Sequence, residues 1–209
     1  MKGTVLITGQ NNDFDMYLAK IFEREGYEVF ALKHLNGLQA MMAEVREKAG
    51  KLDFLLDTTD YTHKGDSFTI IDGIDGNIVE DVFRKNVLAS MAILEAVLPL
   101  MDAGVSKRLF YLTRASASIN ETQSTSQFGY NMSKAALHQF IQMARNKLAS
   151  GGYTFRVFDP LHGVVSPEAA AESAYHYITR RRGTENHDPL RDDEEILVFR
   201  DADGRQHTW

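Results

Sequence analysis

Short apolar segments alternate with helix-patterned segments along this chain, and that alternation constrains the fold more than any other feature. Strands are predicted at 5–8, 27–33, 52–56, 108–113, 153–158 and 196–200. Helical stripes are predicted between them at 14–25, 38–49, 78–101, 130–148 and 166–182. Strands separated in this way by helices run parallel, with helices on both faces of one sheet. The sequence therefore predicts a doubly wound, mostly parallel α/β sheet in a single domain, 1–209.

The carboxyl ends of the predicted strands locate the candidate binding site. In parallel sheets, ligands bind beyond the carboxyl ends of the strands. The loops that matter are therefore those after Thr8, Lys33, Asp57, Thr113 and Phe158.

Composition excludes several classes of function. The 209 residues contain no cysteine, so disulfides, thiolate metal sites and thiol catalysis are excluded. A net charge of −6 argues against a nucleic-acid partner. No apolar run is long enough to span a membrane. His162, His176 and His187 have no metal-ligand spacing with partner acids. A strand pattern that begins at Val5 leaves no room for a signal peptide, so we expect a cytoplasmic protein.

One pair of side chains carries recognisable chemistry. Tyr130 and Lys134 are four residues apart on a predicted helix, so their side chains lie side by side. An ammonium group beside a phenol stabilises the phenolate and lowers the phenol pKa, as acid/base chemistry on a carbonyl or an alcohol requires. The spacing alone favours a surface pair on an amphipathic helix.

The surroundings of this pair resemble a known family. Residues 130–137 read Tyr-Asn-Met-Ser-Lys-Ala-Ala-Leu and follow a strand and a loop rich in serine and threonine. This is similar to the active-site helix of the short-chain dehydrogenase/reductase family, which carries Tyr-x-x-x-Lys in the same setting. Thr8-Gly9 matches the start of the family's cofactor loop, and Asn86 matches the family's helix asparagine. Pro160 matches the proline of the Pro-Gly loop, and Asp203-Gly204 with Trp209 matches the closing turn and tryptophan.

The resemblance implies a Rossmann-like fold and an oxidoreductase that reduces a small carbonyl compound or oxidises an alcohol. By that resemblance, Tyr130 is the acid/base, Lys134 holds the nicotinamide ribose and tunes Tyr130, Asn86 supports a relay water and Thr113 supplies a hydroxyl. The implied cofactor-binding residues are Thr8, Gly9, Asn11, Asn12, Lys33, Asp57, Lys134 and Pro160.

Other properties follow from the same resemblance. Lys33, with no acid at that strand end, favours NADP(H) over NAD(H). We expect a homodimer or homotetramer formed through helices 78–101 and 130–148. Residues 34–51 hold one helix only, so the family's usual strand–helix pair is predicted to be missing there. The substrate pocket is predicted to be built by 113–128, 161–165 and 183–195.

The chain departs from the family pattern at four places. Asp13 and Asp15 replace two glycines of the cofactor loop, and Asp57-Thr58-Thr59-Asp60 replaces Asn-Asn-Ala-Gly. Arg114 stands at the serine position, and Pro160-Leu161 replaces Pro-Gly. The first three changes each have a simple alternative explanation: acids at a helix start, a solvated acidic turn and an arginine that points to solvent. The changes leave a second function open, a non-catalytic protein of this fold with impaired dinucleotide binding and an interaction, regulatory or ligand-sensing role.

Overall fold

A seven-stranded sheet forms the centre of the protein. The computed structural model describes residues 1–9, 12–180 and 196–209. The strands are β1 Thr4–Thr8, β2 Glu28–Leu32, β3 Phe54–Asp57, β4 Arg108–Leu112, β5 Thr154–Asp159, β6 Phe199–Asp201 and β7 Gln206–His207. Their order across the sheet is β2-β1-β3-β4-β5-β6-β7; the first six are parallel, and β7 pairs antiparallel to β6. The predicted parallel α/β sheet is confirmed.

In the residues that the structure describes, six α-helices cover the sheet. They are α1 Asp13–Arg24, α2 Leu38–Lys48, α3 Gly76–Phe83, α4 Ala89–Asp102, α5 Phe128–Leu148 and α6 Pro167–Thr179. Helices α3 and α4 are joined by a π-helical turn, Arg84–Leu88, which makes one continuous helix where the sequence predicted one. The helix predicted to reach Arg182 ends at Thr179. Helix α2 leads directly to β3, as expected from the short connection.

The two faces of the sheet bury separate apolar layers. Successive strand residues point to opposite faces, so Leu55 packs in the layer of α2, α4 and α5, whereas Leu56 packs in the layer of α1 and α6. Val97 and Leu18 are fully buried members of these two layers. Burial on both faces explains why the strands read as continuous apolar runs.

Strand register brings the carboxyl ends of the central strands to one edge. Thr8 pairs with Leu32 on one side and with Asp57 on the other. Gly9 follows with a φ of +86°, and a Cβ there would lie 2.9 Å from the Thr58 carbonyl oxygen. Only glycine fits this close approach, so the chain can turn from β1 towards α1 directly above β3.

Residues 207–208 are hydrogen-bonded to Glu121 in the loop between β4 and α5. The ring of His207 is held by the Glu121 carboxylate at Nδ1 (2.6 Å) and by Asp201 at Nε2 (3.1 Å). Burial alone would lower the pKa of His207, but these two carboxylates raise it. The sequence did not predict strand β7, and it placed the preceding strand at 196–200 instead of Phe199–Asp201.

No helix in the described part of the chain is long and apolar enough to cross a membrane.

Candidate active site

Helix α5 carries Tyr130 and Lys134 on its buried face, one turn apart. The start of the helix is fixed by Asp66, which comes from the loop after β3. One Asp66 carboxylate oxygen accepts the backbone N–H of Gly129 at 3.1 Å, and the other accepts that of Tyr130 at 2.7 Å. These are N–H groups that a helix start leaves without a partner, so Asp66 holds the position of Tyr130 along the helix.

The centre of the site is Asp60, a residue to which the sequence pattern assigned no role. The Tyr130 hydroxyl donates to Asp60 Oδ1 at 2.6 Å, and the Lys134 ammonium lies 3.1 Å from the same oxygen. The Arg114 guanidinium donates to Asp60 Oδ2 at 3.0 Å. The Asp60 side chain is only 7% exposed, so the expected solvated acidic turn is wrong for this residue.

Lys134 is fully buried, and its ammonium meets three oxygens. Besides Asp60, it donates to the backbone carbonyls of Thr59 at 2.7 Å and Leu112 at 3.2 Å. An ammonium has three N–H groups, so these three acceptors account for all of its donor capacity. The carbonyls come from the carboxyl ends of β3 and β4, so Lys134 ties the active-site helix to the sheet.

The electrostatics of Tyr130 differ from the sequence expectation. Lys134 was expected to lower the pKa of Tyr130, but burial and the Asp60 charge raise it well above its ordinary value. Burial would also raise the pKa of Asp60, yet Lys134, Arg114 and the Tyr130 hydroxyl hold it far below its usual range. Asp60 is therefore ionised and Tyr130 keeps its proton through the neutral pH range.

Asn86 lies in the π-helical turn and is fully buried. Its side chain accepts from the backbone N–H of Tyr61 at 2.8 Å and donates to the Tyr61 carbonyl at 2.9 Å. It also donates to Ser133 Oγ at 3.0 Å, on the helix of Tyr130. Asn86 thus fixes the chain immediately after Asp60 and joins it to α5.

Thr113 and Arg114 have opposite orientations at the end of β4. Thr113 is fully buried, and its hydroxyl pairs with His138 Nε2 at 2.6 Å. Burial, with Lys134 nearby, lowers the pKa of His138 to about 4, so this ring is neutral. Arg114 reaches Asp60 and lies 5.8 Å from the centre of the Tyr130 ring, so it does not point away into solvent. The cation at the family's serine position is therefore part of the site.

Comparison with known proteins identifies the family. Residues 3–191 match a family model described as enoyl-(acyl carrier protein) reductase. The chain belongs to the short-chain dehydrogenase/reductase family. Curated relatives of this chain include the short chain dehydrogenase virK of Hypocrea virens, 30% identical over 139 residues, and an uncharacterized oxidoreductase of Schizosaccharomyces pombe, 26% identical over 142 residues. These matches cover 60% and 68% of this chain and 49% and 54% of the relatives, so the chain spans about half their length.

Solved structures show the same fold at low sequence identity. Carbonyl reductase Sniffer of Drosophila melanogaster superposes with a TM-score of 0.79 at 13% identity, with 100% of both chains covered. A putative short-chain dehydrogenase/reductase from Burkholderia multivorans with bound NADP gives 0.75 at 16% identity, with the same coverage. The NADH-type enoyl-[acyl-carrier-protein] reductase of Aquifex aeolicus gives 0.71 at 18% identity over 85% of this chain and 88% of that one.

Five further residues predicted to bind a cofactor lie at the ends of β1, β2, β3 and β5: Thr8, Gly9, Lys33, Asp57 and Pro160. The Thr8 hydroxyl donates to Asp57 Oδ1 at 2.8 Å, and the Thr58 hydroxyl donates to the Thr8 carbonyl. Both Thr8 and Asp57 are buried, and Asp57 Oδ2 has no hydrogen-bond partner among the described residues. A buried carboxylate oxygen of this kind suits a donor such as a sugar hydroxyl or a water molecule.

The start of α1 replaces the family's glycine-rich turn. Asn12 is exposed and caps the helix by accepting from the backbone N–H of Asp15 at 3.0 Å. Asp13 is exposed, as expected of an acid at a helix start, whereas Asp15 is fully buried. Asn11 lies outside the described residues, as does the loop 183–195 that was expected to border the substrate.

Two further expected positions differ in exposure. Lys33 is exposed directly after β2, and Pro160 is buried directly after β5. Leu161, at the family's glycine position, adopts a φ of +51°. A leucine there accepts a backbone strain that glycine would avoid.

The donor set at α5 fits a sugar hydroxyl of a dinucleotide in its chemistry. Tyr130 and Lys134 direct an O–H and an N–H at one point, which Asp60 Oδ1 marks. The oxygen of a ribose hydroxyl also accepts hydrogen bonds, so the two donors suit this ligand in their chemistry. Among residues 1–9, 12–180 and 196–209, no group of three histidines or acids is arranged to hold a metal ion.

Proposed function

We propose that this protein is an NADP(H)-dependent oxidoreductase that interconverts a small carbonyl compound and its alcohol. The proposal is carried by the convergence of the Tyr130 hydroxyl and the Lys134 ammonium on one oxygen, at 2.6 and 3.1 Å. The two donors meet at the carboxyl edge of the sheet, where doubly wound folds bind their ligands. Membership of an oxidoreductase family and the fold shared with carbonyl reductases support the reaction class.

Tyr130 supplies the proton in the direction of reduction. The dinucleotide, when bound, supplies the hydride that forms the new carbon–hydrogen bond. The Tyr130 hydroxyl, which is protonated in the neutral range, gives its proton to the carbonyl oxygen and becomes a phenolate. Solvent then returns a proton to Tyr130, so the net change is one hydride and one proton added to the carbonyl.

Two cations stabilise the charge that this transfer creates. Lys134 and Arg114 lie 5.8 Å from the centre of the Tyr130 ring, measured from Nζ and Cζ. The Arg114 charge favours the ionised form of Tyr130. Preorganised cations of this kind act where charge develops during the reaction and need no rearrangement.

The choice of NADP(H) rests on Lys33. This exposed side chain directly follows β2, where a cation suits the 2′-phosphate that distinguishes NADP from NAD. Solved structures of the same fold are described with bound NADP and as an NADH enzyme, so the fold accommodates both nucleotides.

The test is oxidation of NADPH or NADH by the purified chain with a panel of aldehydes, ketones and oxo acids, followed by the absorbance of the reduced nicotinamide. We expect turnover with NADPH that falls by about 10²-fold or more in Tyr130→Phe, because the proton donor is lost. Tyr153→Phe is the matched control, because it removes a phenol hydroxyl that donates to Asp102 at the amino end of β5, on the opposite edge of the sheet. Equal rates in wild type and Tyr130→Phe would refute the role of Tyr130.

A second function is favoured by the contacts that Asp60 makes with Tyr130 and Lys134. With Tyr130, Lys134 and Arg114 all bound to one internal carboxylate, the structure also suits a non-catalytic member of the family that acts as an interaction, regulatory or ligand-sensing protein. Folded wild-type protein that binds neither NADPH nor NADH would favour this alternative over turnover.

We further propose that two copies or four associate through α3–α4 and α5. The side chains of Leu88, Met91, Met132 and Met143 are exposed on these helices. Exposed apolar groups on adjacent helices suit a symmetric interface. Light scattering at micromolar concentration should give a dimer or tetramer mass, and a monomer would refute this assembly.

A further inference from the structure

We propose that Asp60 is a built-in competitor for the dinucleotide, because its carboxylate holds the acceptor position that a cofactor hydroxyl needs at Tyr130 and Lys134. This inference rests on the proposed function, since it concerns access to the same site. The family has glycine at this position, which carries no group able to compete, so the substitution introduces the competitor.

The contact that a cofactor must replace is strong. Asp60 Oδ1 accepts from the Tyr130 hydroxyl at 2.6 Å and lies 3.1 Å from the Lys134 ammonium, and Oδ2 accepts from Arg114. Hydrogen bonds between ionised groups are shorter and stronger than those between neutral ones. A neutral sugar hydroxyl cannot match the charge that the carboxylate offers to Lys134.

The exchange requires a movement of one side chain and not of the loop. The backbone is pinned before Asp60 by the Thr58 hydroxyl on the Thr8 carbonyl, and after it by the paired hydrogen bonds between Tyr61 and Asn86. Between these anchors, rotation about the side-chain torsions of Asp60 is what removes Oδ1 from Tyr130.

Arg114 gives the displaced carboxylate a partner. Its side chain is 29% exposed and binds Oδ2, the oxygen that Tyr130 and Lys134 do not use. An Asp60 side chain that turns outward can therefore stay paired with a cation. His162, whose Nε2 lies 3.8 Å from Oδ2, borders the same oxygen. Burial and the Arg114 charge lower the pKa of His162, so this ring is neutral in the neutral range.

The expected consequence is a reduced apparent affinity. A ligand that binds only the conformer with Asp60 turned away has its affinity lowered by the fraction of molecules in that conformer. When this fraction is one in ten or less, removal of the carboxylate tightens binding by about tenfold or more.

The experiment titrates NADPH into wild-type, Asp60→Gly and Asp60→Asn protein and follows nucleotide fluorescence. Asp72→Asn removes the same charge from an exposed part of the same loop and is the control. We expect the Kd of Asp60→Gly to fall about tenfold or more and that of Asp72→Asn to stay within about twofold of wild type. The melting temperature of Asp60→Gly should fall at the same time, because Lys134 loses its ion pair.

These opposite changes separate a competitor from a structural residue, whose loss would weaken binding and stability together. If wild type binds NADPH and Asp60→Gly binds it no more tightly, the inference is overturned and the proposed function stands. If wild type, Asp60→Gly and Asp60→Asn all fold and none of them binds NADPH, both the inference and the proposed function are overturned. Should Asp60→Gly not fold, Asp60→Asn replaces it, and an affinity no tighter than wild type overturns the inference.

Discussion

Replacement of Lys134 by methionine tests the electrostatic organisation of the site. The buried ammonium lies 3.1 Å from Asp60 Oδ1, a separation worth about 5 kcal/mol of attraction at an effective dielectric near 20. Desolvation offsets much of this attraction in the intact pair. Lys134→Met removes the attraction and leaves the Thr59 and Leu112 carbonyls without this donor. Loss of one partner of a buried pair costs about 3–5 kcal/mol, and we expect about 3 because Arg114 still pairs with Asp60.

The assay is urea unfolding of wild type and Lys134→Met at neutral pH, with the free energy extrapolated to water. A chain of this length should also show a melting temperature lower by about 6–12 °C. Lys147→Met, on the exposed face of the same helix, is the control and should stay within about 0.5 kcal/mol of wild type.

A double-mutant cycle with Asp60→Asn isolates the pair. The double variant should be more stable than the sum of the two single changes predicts, by about 1–3 kcal/mol, because neither charge is then left behind. A cost below about 1 kcal/mol for Lys134→Met, or additive costs in the cycle, would refute this account of the buried pair.

Three further outcomes follow from other contacts. Asp66→Ala should cost about 1–2 kcal/mol in denaturant unfolding, because the N–H of Tyr130 at the start of α5 loses its acceptor. Gln127→Gly should increase the free energy of unfolding by about 0.5–1 kcal/mol, because this exposed residue has a φ of +58°, which glycine adopts without strain. The urea midpoint should rise accordingly, with an unchanged slope. The stability lost in Glu121→Gln should be largest between the ordinary pKa values of Glu121 and His207. Glu121 has its pKa lowered to about 2, so its contribution is fully present above its ordinary pKa. His207 has a raised pKa, so its contribution is lost as the pH rises through that pKa, and the difference should shrink above neutrality. A flat difference across pH 5–9 would contradict this last expectation.

Local pattern was sufficient for most of the fold. Alternating strands and helices follow from periodicity within each segment, so the parallel sheet and the missing strand–helix pair could be predicted. Tyr130 and Lys134 needed only the geometry of one helix. Strand β7 has two residues, too few to show a period, and the π-helical turn has no local signal in the sequence.

The interior of the site could not be predicted in the same way. Asp60 and Tyr130 are 70 residues apart, and their contact depends on how the loop after β3 crosses α5. Once Asp60 lies there, the direction of the Tyr130 pKa reverses, since the effect of a nearby anion and of burial opposes that of Lys134. The available signal was the position of Asp60, three residues beyond the end of a central strand, at the edge where ligands bind.

The π-helical turn at Arg84–Leu88 lets one continuous helix meet two separate geometric demands. Each residue turns an α-helix through about 100°, and a π turn holds one residue more than an α turn. Before the turn ends, Asn86 must face Tyr61 and Ser133; after it, Val97 must face the sheet. Deleting one residue would rotate one half of the helix against the other by about 100°. Either the asparagine would leave the site or the apolar side of α4 would leave the core, so the extra residue sets the phase between the two halves.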